Sequence, residues 1–157
     1  MSRTDGASRG GGSRLYSIRS VQATDFLEAL PNGSIEGESL TGLVSSKSKI
    51  KRIIVESLEN LALTIAFFST GDFRNDNLDF DMYIGEVQFV AADGVQMNVA
   101  DFPQFYYDSG ALDLDYMDDD EARELHLAYV CRDAAGKTAT PVGDVIVRVL
   151  YEPFQED

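Results

Sequence analysis

This chain is poor in the side chains that do covalent chemistry. Cys131 is its single cysteine, which excludes an internal disulfide framework and any zinc site needing two thiolates from one chain. His126 is the single histidine and tryptophan is absent. A Cys–His dyad is not expected either, since residues five apart on one strand face opposite ways. Residues 1–10 lack the apolar stretch of a secretory signal, and no window of about 18 apolar residues occurs. A soluble protein made in the cytoplasm, without a membrane segment, is therefore expected. Gly-rich phosphate loops, Gly-x-Ser-x-Gly turns and His-Glu-x-x-His helices are missing. Acid–base pairs cannot be picked out, because 27 acids place some carboxylates close together by number alone. The expectation is a non-enzymatic protein with no cofactor.

What is present is acid, unevenly spread. The net charge is −14. Arg3, Arg9, Arg14 and Arg19 against Asp5 give residues 1–20 a charge of +3, and the other 9 bases and 26 acids give −17. Such a body repels nucleic acid and anionic membranes, so neither is an expected direct partner. Residues 1–14 are almost wholly Gly, Ser, Arg and Thr, too apolar-poor to offset the entropy of ordering alone. They read as an extended basic arm, with a single domain over residues 15–157.

From residue 15 the pattern has a period of two. Leu61, Leu63, Ile65 and Phe67 form one face of a strand, and Val145, Val147, Val149 and Tyr151 form another, with Arg148 opposite. Residues 51–57, 83–91 and 124–132 read the same way; residues 15–22, 40–46, 95–99 and 112–116 are weaker strands. Turn residues such as Pro31-Asn32-Gly33, Thr70-Gly71-Asp72, Ala92-Asp93-Gly94 and Ser109-Gly110 separate them. One short helix, capped by Thr24, fits residues 23–29. This predicts an all-β chain, an antiparallel β-sandwich of jelly-roll type with about eight strands. The acidic run 118–121 reads as a solvated loop.

Two segments carry candidate sites. Residues 72–81 hold Asp72, Asp76, Asp79 and Asp81 among asparagines, and calcium takes six to eight oxygen ligands from such loops. From Leu63 to Val87 the chain resembles the strand-loop-strand of calcium-dependent membrane-binding β-sandwiches, where an acidic loop precedes an Ile-Gly-Glu-Val-like start, here Ile84-Gly85-Glu86-Val87. That resemblance implies a calcium role for Asp72, Asp79 or Asp81, completed by a second loop for which Asp113, Asp115 and Asp118–Asp120 are candidates. An ordinary acidic loop, with no metal, explains the same residues through local backbone bonding. Phe102, Phe105 and Tyr106 belong to an aromatic cluster that suits either a partner surface or a loop folded over one end of the sandwich.

The layout as a whole, a Gly/Arg-rich arm before an acidic jelly-roll-like body, resembles the cement or decoration proteins of tailed-bacteriophage capsids. The resemblance implies a virion structural protein that binds the outside of the major capsid protein lattice as a homo-oligomer, after synthesis in the host cytoplasm. A minor tail or collar protein fits the same residues. Arginine favours bidentate pairing with carboxylates, and an arm that orders on binding can wrap a neighbour. Arg3, Arg9, Arg14, Leu15 and Tyr16 are accordingly expected to engage grooves on adjacent virion subunits.

Overall fold

A computed structural model describes residues 14–20, 35–57, 60, 62–71, 80–97, 104–131 and 145–154. Ten strands run through them: β1 (Tyr16–Arg19), β2 (Ile35–Thr41), β3 (Lys47–Ser57), β4 (Leu63–Phe68), β5 (Tyr83–Phe89), β6 (Val95–Met97), β7 (Gln104–Asp108), β8 (Leu114–Met117), β9 (Glu124–Cys131) and β10 (Val145–Pro153). Two short 3-10 segments, Phe80–Met82 and Ala91–Asp93, lie between strands.

The pairing identifies the topology. The first strand pairs with the last, β2 with β9 and β3 with β8, all antiparallel. That nesting is one long hairpin rolled on itself, the jelly roll. It yields one sheet in the order β1-β10-β3-β7-β6, with β8 also on β3, and a second in the order β2-β9-β4-β5. β8 takes Lys47–Ile50 and β7 takes Ile54–Ser57, so two short strands share one edge of β3 end to end.

The core lies between the sheets. Ile50, Ile53 and Val55 of β3 and Val145, Val147, Val149 and Tyr151 of β10 meet Leu63, Ile65 and Phe67 of β4 and Leu125 and Leu127 of β9. Alternation alone cannot place both Ile50 and Ile53 inside, since they are three apart. Lys51 is the extra residue of a bulge opposite the Leu150–Tyr151 step, and a bulge reverses which face the next side chain takes. Gly85 faces Leu114 across the sheets, where a Cβ would lie 3.0 Å from its Cδ1.

Several sequence expectations need correction. The strand count is ten among the described residues, because the edge of β3 is divided and β6 is added outside β7. Residues 40–46 are not a strand: β2 stops at Thr41 and β3 starts at Lys47, with Gly42 at φ +107 reversing the chain as glycine does without strain. β4 is buried on both faces, because Ala66 and Phe68 form a second small cluster with Ala128 and Met82. The expected helix over residues 23–29 lies outside the described residues.

Candidate functional site

Beside β1 lies an open cleft of about 620 Å³, whose lining includes Arg14, Tyr16, Val44, Lys47, Met117, Arg123 and Phe154. Its walls follow from the roll, which brings β1, the β2–β3 turn, the loop after β8 and the end of β10 to one edge. Tyr16 stacks on Tyr151 with ring centroids 5.8 Å apart. The Tyr151 hydroxyl accepts a bond from Val44 N at 3.1 Å, so one buried phenol ties β1, β10 and the β2–β3 turn together. Phe154 N donates to Lys47 O at 3.0 Å, and Lys49 Nζ sits 5.9 Å from the Phe154 ring centroid. Despite these ties, Leu15 (55%), Val44 (43%), Met117 (44%) and Phe154 (40%) keep large exposed fractions. Three of these, Val44, Met117 and Phe154, line the cleft, and apolar side chains left in water around one cleft are what a binding surface presents.

The cleft's other wall is the loop 118–123, and Asp118 builds it. Asp118 is fully buried, which corrects the expectation that the run 118–121 is solvated throughout. Its Oδ1 accepts from Asp120 N (3.0 Å) and its Oδ2 from Ala122 N (3.0 Å) and Glu124 N (2.9 Å). His126 Nε2 completes the set, 3.1 Å from Oδ1. Burial pushes the Asp118 carboxyl up, but the bonds from Glu124 N, His126 and Asp120 N outweigh it and hold it below the ordinary carboxylate value. An ionised carboxylate only accepts, so His126 Nε2 carries the proton. His126 Nδ1 lies 2.7 Å from Ser39 Oγ, a hydroxyl that can donate or accept.

Tyr116 doubles the tie: its hydroxyl donates to Glu124 O at 2.7 Å and accepts from His126 N at 3.0 Å. Burial lifts its ionisation well above that of a free phenol, so it remains a donor. With the carboxylate at its centre the loop can hold Glu121 and Arg123 at φ 53 and 58, left-handed positions that cost about 1 kcal/mol each without glycine. Leu43 N then donates to Arg123 O (3.0 Å) and Asp118 N to Ser46 O (2.8 Å), closing the loop onto the β2–β3 turn.

Two chemical readings of this cluster fail on its geometry. Asp118, Asp120 and His126 bring ligand atoms within 4.8 Å of one another, a metal-like spacing. Each Asp118 oxygen, however, already takes two N–H bonds, and a carboxylate has about four lone-pair sites in all. A cation would have to break the loop to reach them. Ser39, His126 and Asp118 also follow the order of a hydrolase relay. Ser39 lies within β2, directly opposite His126 in the ladder, and is not part of the cleft lining. The arrangement is a buried polar staple that shapes the cleft wall.

Of the residues expected to bind partners, the exposed Arg14 and the half-buried Tyr16 line the cleft, while Leu15 is exposed but not part of its lining. Arg3, Arg9 and Phe102 fall outside the described residues. Phe105 and Tyr106 belong to β7, not to a covering loop, and Phe105 packs against the core. Asp72, Asp76 and Asp79 are likewise outside the described residues, while Asp81 is exposed in a 3-10 turn. Asp113 and Asp115 are engaged by lysines. Lys49 lies 3.3 Å from Asp113 and 3.6 Å from Asp115, and Lys51 lies 3.4 Å from Asp113. Lys49 holds the Asp113 carboxyl below its usual range.

Sequence reasoning missed Lys47, Arg123, Val44, Met117 and Phe154, which are brought together only by strand pairing between distant segments. It also missed the Asp118–His126 contact, for which the one signal was a lone histidine shortly after an acidic run.

No family model matches the sequence, and no curated protein matches it. Among solved structures the chain is similar to VP2 of the infectious bursal disease virus subviral particle. The TM-score is 0.36 and the identity 14%, over 90% of this chain and 38% of that chain. The jelly-roll assignment rests on the strand pairing alone.

Proposed function

We propose that this chain is a non-enzymatic structural protein of a virus particle, specifically a cement or decoration protein that binds and stabilises a lattice of capsid subunits from outside. The observation that carries the reading is the exposed apolar surface of the cleft beside β1. Val44, Met117 and Phe154 remain exposed there, and the Gly/Ser/Arg-rich residues 1–14 precede β1 in the sequence. A chain that works by adhesion needs such an apolar surface together with a segment able to wrap a neighbour. The acidic body suits an external position, since it repels a packaged genome. Self-association into a homo-oligomer belongs to the same reading, as does the alternative of a tail or collar position.

The test is co-sedimentation of the purified chain with particles from its source. The full chain is expected to sediment with them, and a form lacking residues 1–14 to remain in the supernatant. Equal sedimentation of the truncated form would overturn the role given to Arg3, Arg9 and Arg14. Absence of the full chain from every particle fraction would overturn the virion assignment itself.

A further inference from the structure

We propose that the cleft beside β1 is a receptor for an extended acidic segment bearing apolar side chains, contributed by a partner protein. The inference rests on the adhesive reading above and deepens it by naming the partner's chemistry.

The first argument is the state of the cations. Lys49, Lys51, Arg52 and Arg148 each lie within ion-pair distance of a carboxylate. Arg14, Lys47 and Arg123, all exposed and all lining the cleft, are in no ion pair among the described residues. In a chain with 27 acids and 13 bases, carboxylates to pair with are in surplus everywhere. Arg19 is likewise exposed and in no ion pair among the described residues, outside the lining, but only at the cleft do three such cations share one rim, and that clustering points to carboxylates from outside. Glu121 is the exposed acid of the lining, and it leaves the cationic side in excess.

The second argument is the combination of charge with an apolar floor. Val44, Met117 and Phe154 line the same cleft as the cations, and a strand of alternating acidic and apolar side chains satisfies both at once, because successive residues of an extended chain point to opposite sides. The wall is also fixed before binding: Asp118 holds Arg123 in its left-handed conformation, and the bonds Leu43 N to Arg123 O and Asp118 N to Ser46 O lock that loop to the turn bearing Val44. A preformed site loses less entropy on binding.

The same features disfavour other occupants. The arm of a second copy is cationic, with Arg3, Arg9 and Arg14 against Asp5, and would meet like charge. A nucleic acid would gain little from Val44, Met117 and Phe154 and would be repelled by the acidic body.

The experiment uses the full chain and a fluorescein-labelled peptide alternating glutamate with leucine, followed by fluorescence anisotropy. A glutamine–leucine peptide and a single-stranded oligonucleotide serve as comparisons. Saturable binding of the glutamate peptide is expected, weakening at least tenfold in the Lys47→Glu/Arg123→Glu variant and falling as salt is raised. An unchanged melting temperature shows that the variant is folded. The proposal is overturned by no saturable binding, by equal affinity for the glutamine peptide, by tighter binding of the oligonucleotide, or by undiminished binding in the folded variant. Particle co-sedimentation separates this proposal from the reading beneath it. If removing residues 1–14 abolishes sedimentation but Lys47→Glu/Arg123→Glu does not, the cleft assignment falls and the structural role stands. Peptide binding by a chain that joins no particle has the reverse meaning.

Discussion

At the scale of single residues, Asp118 carries more of the local architecture than its neighbours in the acidic run. Both its oxygens face N–H donors, so the near-isosteric Asp118→Asn change must turn an NH2 group toward at least one of them. It also leaves buried amides underbonded, and a loss of about 2–4 kcal/mol in urea unfolding is expected. Tyr116→Phe removes the acceptor of His126 N and the donor to Glu124 O, for about 1–3 kcal/mol. The pH dependence follows in sign. Folding lowers the Asp118 carboxyl below its ordinary value, so its contribution is complete above the unfolded carboxylate range near about pH 4 and is lost as pH falls through the lower folded value. Stability of the parent protein should therefore fall more steeply on acidification than that of Asp118→Asn, as read from urea midpoints below about pH 5. None of this was legible in the sequence. Asp118, Asp119 and Asp120 are chemically identical there, and only the approach of His126 on β9 and the backbone amides of its own loop make one of them a buried anchor.

At the scale of elements, most of the sheet could be read directly. The faces Val145–Val147–Val149–Tyr151 and Leu63–Ile65–Phe67 are where alternation placed them, because strands packed against one core must repeat at every second residue. Legibility failed where a second surface or an irregularity intervened. Lys51 breaks the period as the extra residue of a bulge, and the sequence leaves Phe105 and Tyr106 open between a partner surface and a covering loop because β7 is short and lies beside Pro103. Gly94 shows how a turn residue can be fixed by packing instead of backbone conformation. Its φ of −71 is open to any residue, yet a Cβ there would lie 2.6 Å from Asn60 Oδ1 and 3.0 Å from the Tyr107 ring. The Tyr107 hydroxyl donates to that same Asn60 oxygen, so neither neighbour can retreat without breaking a bond. Gly94→Ala should cost about 1–3 kcal/mol, measured as a lowered urea midpoint with an unchanged slope. A neutral Gly94→Ala would show that the turn yields to the added methyl and that the Tyr107–Asn60 bond does not constrain it.

At the scale of the whole molecule, the jelly roll closes by laying β1 on β10, and this is the ground for expecting the folded domain to begin near residue 15. β1 is short, but three ties secure it: its ladder with β10 from Tyr16–Tyr151 to Arg19–Arg148, the Tyr16–Tyr151 stack, and the exchange in which Ser20 N donates to Val147 O while Val147 N donates to Ser20 Oγ. All of them lie after residue 15. Removing residues 1–14 should thus shift the melting temperature by no more than about 2 °C, since it touches none of these three ties. Removing residues 1–20 strips β10 of a neighbour, uncovers Tyr151 and leaves Val147 N–H without its hydroxyl partner. That loss of buried area and hydrogen bonds is worth several kcal/mol, and a fall on the order of 10 °C is expected for a domain of this size. Differential scanning calorimetry of the two truncations therefore separates adhesion from folding. If the shorter truncation already lowers the melting temperature by as much as the longer one, the first 14 residues belong to the folded domain, and the division between arm and body at residue 15 is misplaced.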